Sequence, residues 1–315
     1  MVFRLPQIQT VRQFIDAHWD RKSPLLLGYS GGPDSKALLY SLLEWGFKHL
    51  QIAHVDHGWR SESADEAELL RLEAAELGLP FHSTRLQMKG KKEDEARSSR
   101  LAFFKKIAAE IGAQALLLAH QADDWAETAL KRVLEGAHLA FLGGMEGVGE
   151  VEGLPIWRPL LTVKRSEIVR FIEKRKLIPL DDPTNRDPKY LRARMREKIL
   201  PALNEAFGKE IGNNLLCLAE RGAELKRYLD RRVEAIAVQR GEWGISAALR
   251  EVERIEQRHL IQKISPVTIP RSVLEFLLDG LAKKGAKRRL LVKGQEIFIE
   301  GGSILFPIKD SGTVI

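Results

Sequence analysis

Ser23-Pro24-Leu25-Leu26-Leu27-Gly28-Tyr29-Ser30-Gly31-Gly32-Pro33-Asp34-Ser35-Lys36 is the stretch on which the fold turns. Its three leucines, bounded by Pro24 and Gly28, read as a short buried strand entering a glycine turn, and from about Asp34 to Trp45 the apolar spacing becomes helical. The stretch is therefore strand, loop and helix. The first N–H groups of a helix lack intrahelical partners and sit at the positive end of its dipole, so such a loop is an anion site. Ser30, Gly31, Gly32, Pro33, Asp34 and Ser35 suit a phosphate, because glycines let the backbone approach closely and serine hydroxyls donate. The glycine spacing and the lysine-Ser/Thr pair of a Walker A loop are absent; Lys36 follows Asp34-Ser35 instead. Each of these residues also favours turns, so a plain turn that starts a helix is the competing reading.

Working outward, the same alternation recurs. Leu50 to Val55 reads as a strand and Ser63 to Leu77 as a helix stopped by Gly78 and Pro80. Phe81 to Leu86 is a third strand, Glu95 to Ile111 a helix, Ala115 to Ala119 a fourth strand, and Gln121 to Leu134 a helix. Strands alternating with helices predict an α/β, doubly wound parallel sheet with ligands beyond the strands' C-terminal ends. Gly143 to Gly153 and Asp181 to Pro188 read as loops, and helices resume at about Arg192. The expected organisation is a nucleotide-binding domain over 1–210, a charged helical connector over 211–240, and a small basic α+β domain over 241–315.

The chain has 315 residues, 44% hydrophobic and 30% charged, which is ordinary for a globular protein with a sizeable core. No apolar run reaches the roughly 18–20 residues of a membrane helix, and the opening lacks the apolar core of a secretory signal, so a cytoplasmic location is expected. Cys217 is the only cysteine, which excludes an intrachain disulfide, a CxxC pair and an all-cysteine metal or iron–sulfur site. The formal charge is +7, and residues 213–315 carry 18 Lys plus Arg against 13 Asp plus Glu. A polyanion such as nucleic acid gains from that field, although the same charge also serves solubility.

Ser30-Gly31-Gly32-Pro33-Asp34-Ser35 after a hydrophobic strand resembles the signature of the PP-loop ATP pyrophosphatases, which split ATP between the α and β phosphates. Further segments resemble one subfamily, the tRNA(Ile)-lysidine synthetases. They are His54-Val55-Asp56-His57-Gly58-Trp59-Arg60, with Trp59 in place of the usual leucine; Glu95-Ala96-Arg97-Ser98-Ser99-Arg100; and His120-Gln121-Ala122-Asp123-Asp124-Trp125-Ala126-Glu127-Thr128. Arg158-Pro159-Leu160-Leu161, Asp182-Pro183-Thr184-Asn185 and Arg192-Ala193-Arg194-Met195-Arg196 follow in the family's order. Ala193 stands where the family usually has asparagine, which removes an amide's hydrogen-bonding groups. The match to the small domain after Gly241 is diffuse, and a further C-terminal domain of longer members is expected to be missing.

The resemblance implies an ATP- and Mg²⁺-dependent ligase acting on tRNA(Ile) with a CAU anticodon and free L-lysine. The C2 oxygen of the first anticodon cytidine attacks the α-phosphate, pyrophosphate leaves, and the lysine ε-amine then displaces AMP. It places Ser30 to Ser35, Asp56 and Arg97 on ATP, Mg²⁺ at Asp34, and Asp34, Arg100, Asp123 and Glu127 among the catalytic residues. Asp123, Asp124, Glu127 and His120 would hold the lysine, and Arg192, Arg194 and Arg196 the tRNA. Simpler readings stand beside these: a solvated basic face for Arg97 and Arg100, helix-dipole acids for Asp123 and Asp124, and a helix cap or core position for His120. A PP-loop tRNA thiolase is the alternative enzyme, but such enzymes use cysteine pairs or an iron–sulfur cluster, and Cys217 supplies neither. A small-metabolite PP-loop enzyme leaves the basic C-terminal third unexplained, and an idle tRNA binder leaves the acids unexplained. Nothing in the sequence decides between a monomer and a homodimer.

Overall fold

The computed structural model describes residues 6–56, 58, 63–86, 93–181, 187–236, 238–241, 244–283 and 285–307. His57, Trp59, Arg60 and Asp182 through Asn185, parts of two motifs above, lie outside the described residues. The chain divides into two compact units, 1–129 with 144–217, and 130–143 with 218–315.

The first unit is built on a six-stranded sheet ordered β3-β2-β1-β4-β6-β5, with β1 (Leu25–Gly28), β2 (Leu50–Asp56), β3 (Phe81–Arg85), β4 (Ala115–Leu117), β5 (Val148–Val151) and β6 (Leu154–Trp157). All neighbours are parallel except β5 on β6. Alternating side chains explain why both faces need helices. Leu25 and Leu27 of β1 and Ala115 and Leu117 of β4 enter one core with Val11 and Ile15 of α1 (Pro6–His18), Leu38 and Leu42 of α2 (Pro33–Trp45), Leu70 of α3 (Ser63–Glu76) and Phe171 of α6 (Arg165–Arg175). Leu26 and Leu116 enter a second core with Phe104 and Ile107 of α4 (Glu93–Ile111). A leucine such as Leu26, 0% exposed, contributes about 1.5–3 kcal/mol relative to an exposed one.

Gly143 to Gly153, expected as a loop, instead contains β5 and turns into β6 through Glu152 (φ 50°) and Gly153 (φ 82°). Two consecutive positive φ values make the primed hairpin turn whose twist suits antiparallel strands. Val-Gly-Glu-Val hides its strand behind a glycine. α1 and α6 were not anticipated either.

The order of the four central strands, 3-2-1-4, puts the topological switch point between β1 and β4, where crossovers leave in opposite directions. The chain beyond β1 is the Ser30–Ser35 loop, and beyond β4 it is His120 and α5 (Ala122–Leu134). After α6 the chain forms α7 (Leu191–Arg194), a π turn (Met195–Ile199) and α8 (Leu200–Phe207).

The second unit carries an antiparallel sheet ordered β7-β8-β11-β10-β9, with β7 (Val238–Gly241), β8 (Gly244–Ala248), β9 (Lys287–Val292), β10 (Gln295–Glu300) and β11 (Ser303–Phe306). Ile297, Ile299, Ile304 and Phe306 pack with Leu260 and Ile261 of α10 (Arg254–Ile264) and Leu277 and Leu281 of α11 (Arg271–Ala282). The 211–240 stretch, read as helical throughout, is α9 (Ile211–Glu234) followed by β7, so its end already belongs to this sheet. Among the described residues no helix is long and apolar enough to cross a membrane.

Candidate active site

The loop between β1 and α2 is held open from several sides. Gly31 has φ +74°, and its carbonyl accepts the Leu180 N–H at 2.9 Å. Gly32 precedes the first turn of α2, where Pro33 has no N–H to leave unpaired. Ser30 Oγ and Ser35 Oγ lie 3.1 Å apart, and Ser35 Oγ donates to the Gly32 carbonyl at 3.1 Å. Both hydroxyls therefore border the same pocket of helix-start N–H groups. Lys36 turns away from it: its Nζ donates to Glu73 Oε1 at 2.8 Å, while the Tyr29 and Tyr40 hydroxyls donate to the same carboxylate at 2.7 and 3.0 Å. That cluster anchors α2 to α3 behind the loop.

Asp56 ends β2 and is 5% exposed, with Oδ1 accepting the Gly58 N–H at 2.7 Å and Oδ2 3.3 Å from Arg85 Nε. It braces the chain leaving β2. In the previous turn of the strand, His54 Nδ1–H donates to the Tyr29 carbonyl at 2.8 Å and ties β2 to the start of the loop.

Across the switch point, α5 begins with a reciprocal cap. Gln121 Oε1 accepts the Asp123 N–H at 2.7 Å, and Asp124 Oδ2 accepts the Gln121 N–H at 3.2 Å. Asp124 thus serves the helix start, but its other oxygen does not. Arg196, on the π turn, donates from Nη2 to Asp124 Oδ1 at 3.1 Å and from Nε to Glu127 Oε1 at 2.8 Å. A π turn adds a residue to one helical turn and re-aims the side chains around it. Glu127 is 2% exposed, and burial raises its pKa against the pull of Arg196. Its Oε2 and Asp34 Oδ1 are both buried without a hydrogen-bond partner. Asp123 makes no side-chain hydrogen bond or ion pair among the described residues.

Asp34 is where the two halves meet electrostatically. Burial pushes its carboxyl up to about 6, with Asp124 and Asp123 adding to the rise and Arg165 and Arg196 opposing it. Four carboxylates, Asp34, Asp123, Asp124 and Glu127, are thus faced by three arginines, Arg165, Arg192 and Arg196. The imbalance asks for another cation, and hard carboxylate oxygens suit Mg²⁺ or an ammonium. Among the described residues no group of three or more metal-ligating side chains forms.

His120 is placed differently from the acids. Its Nδ1 accepts from Arg158 Nε at 3.3 Å, and burial pushes its pKa down to about 4, with Asp124 opposing and Arg158, Arg192 and Arg100 adding to the fall. With Nδ1 engaged by Arg158, any part of His120 in holding lysine would fall to Nε2. Arg97 and Arg100 are exposed on α4; Arg97 lies close enough to Arg158 to affect its ionisation, and Arg100 to affect that of His120.

The three arginines expected on tRNA have separate surroundings. Arg192 is exposed and near His120 and Glu127, Arg194 Nη1 donates to the Pro188 and Lys189 carbonyls at 2.9 Å, and Arg196 is committed to the acids. Ala193 is 4% exposed, in a packing position. The partners that sequence reading did not supply are Arg158 for His120, Arg165 for Asp34 and Gln121 for the start of α5. Gln121 gave no signal, since glutamine is not a preferred cap.

A family profile for the PP-loop domain matches residues 5–203. A tRNA(Ile)-lysidine synthase from Protochlamydia amoebophila is 35% identical over 313 residues, covering 95% of this chain and 68% of that protein. One from Chlamydia pneumoniae is 43% identical, covering 69% of each chain, and one from Chlamydia caviae is 33% identical, covering 97% of this chain and 99% of the relative. Among solved structures, a tRNA thiolase from Methanococcus maripaludis with its 4Fe-4S cluster superposes with a TM-score of 0.53 at 18% identity, over 69% of this chain and 79% of the other. That likeness establishes the fold alone; the single cysteine here, Cys217, is exposed and free.

Proposed function

The chain belongs to the tRNA(Ile)-lysidine synthase family, built on a PP-loop domain, and from that membership we propose that it joins free lysine to the first anticodon cytidine of tRNA(Ile) at the expense of ATP. The observation that carries the reading is the meeting, at the β1/β4 switch point, of a phosphate loop with Asp34, Asp124 and Glu127, two of whose oxygens are buried and unpartnered.

Each residue group answers a demand of the reaction. In the first step the cytidine C2 oxygen bonds to the α-phosphorus of ATP and the bond to pyrophosphate breaks. Charge gathers on the leaving pyrophosphate, so the helix-start N–H groups of α2 and the Ser30 and Ser35 hydroxyls stabilise the transition state more than the ground state. Asp34 would hold Mg²⁺, which neutralises phosphate charge when bound. Its buried, unpartnered Oδ1 is the donor that fits such an ion. Arg97 and Arg100, on α4, supply positive charge for the α-phosphate side.

In the second step the lysine ε-nitrogen bonds to C2 and the C2–O bond to AMP breaks. The amine, with a free pKa of about 10.4, must shed a proton. Asp123 and the unpartnered oxygen of Glu127 would hold the ammonium, and a buried carboxylate with a raised pKa is a better proton acceptor than an exposed one. The target base lies in a single-stranded loop and can be splayed from its stack. The second unit, with its excess of Lys and Arg, would carry the rest of the tRNA through phosphate contacts.

The test is incorporation of radiolabelled lysine into acid-precipitable RNA, with ATP, Mg²⁺ and a CAU-anticodon tRNA(Ile) transcript, against a methionine tRNA control. Label on the isoleucine tRNA alone, dependent on ATP and lost in Asp34→Ala, is expected. RNA-dependent pyrophosphate release without label would move the nucleophile to another class.

A further inference from the structure

Arg158 follows β6 and has no part in the chemistry above. Its backbone N–H donates to the Gly147 carbonyl at 2.7 Å, and its Nη1 donates to the Glu146 carbonyl at 2.8 Å. These two bonds fix the guanidinium against the β5 side of the sheet. Its Nε then points at His120 Nδ1, 3.3 Å away.

A guanidinium has five N–H donors and no acceptor, and it stays charged in proteins. The ring nitrogen that faces it must therefore present a lone pair, which puts the single imidazole proton on Nε2. A second proton at Nδ1 would break the contact and set two cations against each other. The charges that act most strongly on the ring are Asp124 from α5, Arg158 after β6, Arg192 from α7 and Arg100 from α4. Three of the four are cations, so the field at the ring favours an anionic oxygen in front of it. His120 Nε2 has no hydrogen-bond partner among the described residues, and it stands at the end of β4 between the phosphate loop and the acids of α5.

We propose that Arg158 is a positioning residue that locks His120 as the neutral Nε2–H tautomer, and that His120 donates this hydrogen bond to a phosphoryl oxygen of the adenylated cytidine. The proposal rests on the lysidine synthase reading and extends it. Proton removal from lysine then falls to the carboxylates alone, since the ring lacks an open basic nitrogen. A fixed neutral donor in a site crowded with arginines adds a directed hydrogen bond without adding charge, and it needs no reorganisation during the reaction.

Two readouts test it. The first is independent of activity: long-range ¹H–¹⁵N spectra of the histidine-labelled full chain, with His120 assigned by the spectrum of His120→Gln. An unprotonated Nδ1 and a protonated Nε2 are expected, unchanged between about pH 8 and pH 5.5. In Arg158→Gln the two tautomers should mix, and a titration should appear nearer the ordinary value of about 6.5. A wild-type His120 that carries its proton on Nδ1, or that titrates near that value, overturns the proposal. The second readout uses the geometry of the amides, because a glutamine N–H reaches the place of Nε2 and an asparagine N–H only that of Nδ1. His120→Gln should keep kcat within about tenfold and His120→Asn should lose about 10²–10³-fold, with KM for lysine little changed in both. Equal losses, or no loss in either, overturn the donor role, provided thermal melts show both variants folded. If wild-type protein retains no lysine label, the proposed function fails by itself. The same Gln-over-Asn order is then read in RNA-dependent pyrophosphate release, and its absence there overturns the His120 assignment too.

Discussion

Arg196 Nε donates to Glu127 Oε1 at 2.8 Å while its Nη2 reaches Asp124 Oδ1 at 3.1 Å, so one guanidinium spans two carboxylates a helical turn apart. Glu127 and Asp124 are 2% and 8% exposed, and removing Arg196 would leave both without their charged partner at that burial. Arg196→Ala should therefore destabilise the protein by roughly 3–5 kcal/mol at pH 8, the cost of a broken buried pair. Glu127 already has a raised pKa, so its proton uptake relieves part of the loss as pH falls. Urea denaturation at pH 8 and pH 5.5 reads both effects; a deficit that does not shrink at the lower pH would contradict the account.

Asp34 shows the opposite balance, a carboxylate strained for the benefit of a ligand. Its pKa in the fold is about 6 against an ordinary 3.8. The folded state thus holds the proton more tightly than the unfolded chain, so ionisation works against folding. The penalty develops as pH rises from about 4 and is complete above about 6. Asp34→Asn should raise the melting temperature of the ligand-free protein at pH 8, by a free energy of up to about 3 kcal/mol, and give no gain below pH 4. The same variant should make no lysidine. A destabilised Asp34→Asn at pH 8 would mean that the carboxylate is structural.

Asp123→Asn and Glu127→Gln separate amine chemistry from RNA binding. Both should abolish lysidine formation, because the ammonium loses a charged partner and its proton acceptor. Affinity for tRNA, measured by filter binding, should stay within a few-fold. Wild-type turnover in either variant would discard these roles.

The central strands and the loop were legible because Leu25 to Leu27 are bounded by Pro24 and Gly28, and because the Ser30–Ser35 loop sits where the apolar period changes from strand to helix. The β5–β6 hairpin was not: Gly149 and Gly153 outweighed two valines in so short a strand. The acids of α5 could be placed on one helix from their spacing alone. The direction of Arg196 could not, since its partner Glu127 is 69 residues away in sequence and the π turn that aims it leaves no mark in periodicity. Likewise, the tautomer of His120 depends on Arg158, 38 residues later. Local order is written in local pattern, whereas the charge state of a site is set by pairs that only the sheet brings together.

The second unit should bind tRNA mainly through phosphates. A cut after Arg240 would fall inside β7 and break its pairing with β8, so charge removal is the cleaner test. Lys283 and Lys293 are exposed and make no ion pair among the described residues. Their joint replacement by alanine should weaken binding at low salt and reduce the slope of log affinity against log salt by up to about 2. An unchanged slope would take both lysines off the interface.

Gly31 links the loop to its support. At φ +74°, a side chain there is strained, and an added Cβ would lie 2.7 Å from both Leu180 Cδ1 and Leu70 Cδ2. Gly31→Ala should cost about 2–4 kcal/mol, combining the left-handed backbone with overpacking. Gly46, after α2, is the control, since it has φ +88° but nothing within 4 Å of an added Cβ. Gly46→Ala should cost only the backbone component, about 1–2 kcal/mol, and leave the KM for ATP unchanged. In Gly31→Ala the Leu180 N–H bond to the Gly31 carbonyl must shift with the loop, so KM for ATP should rise even where the variant remains folded. Equal stability losses in the two variants would show that crowding against Leu70 and Leu180 is relieved by side-chain movement, and an unchanged KM would show that the phosphate loop does not depend on that contact.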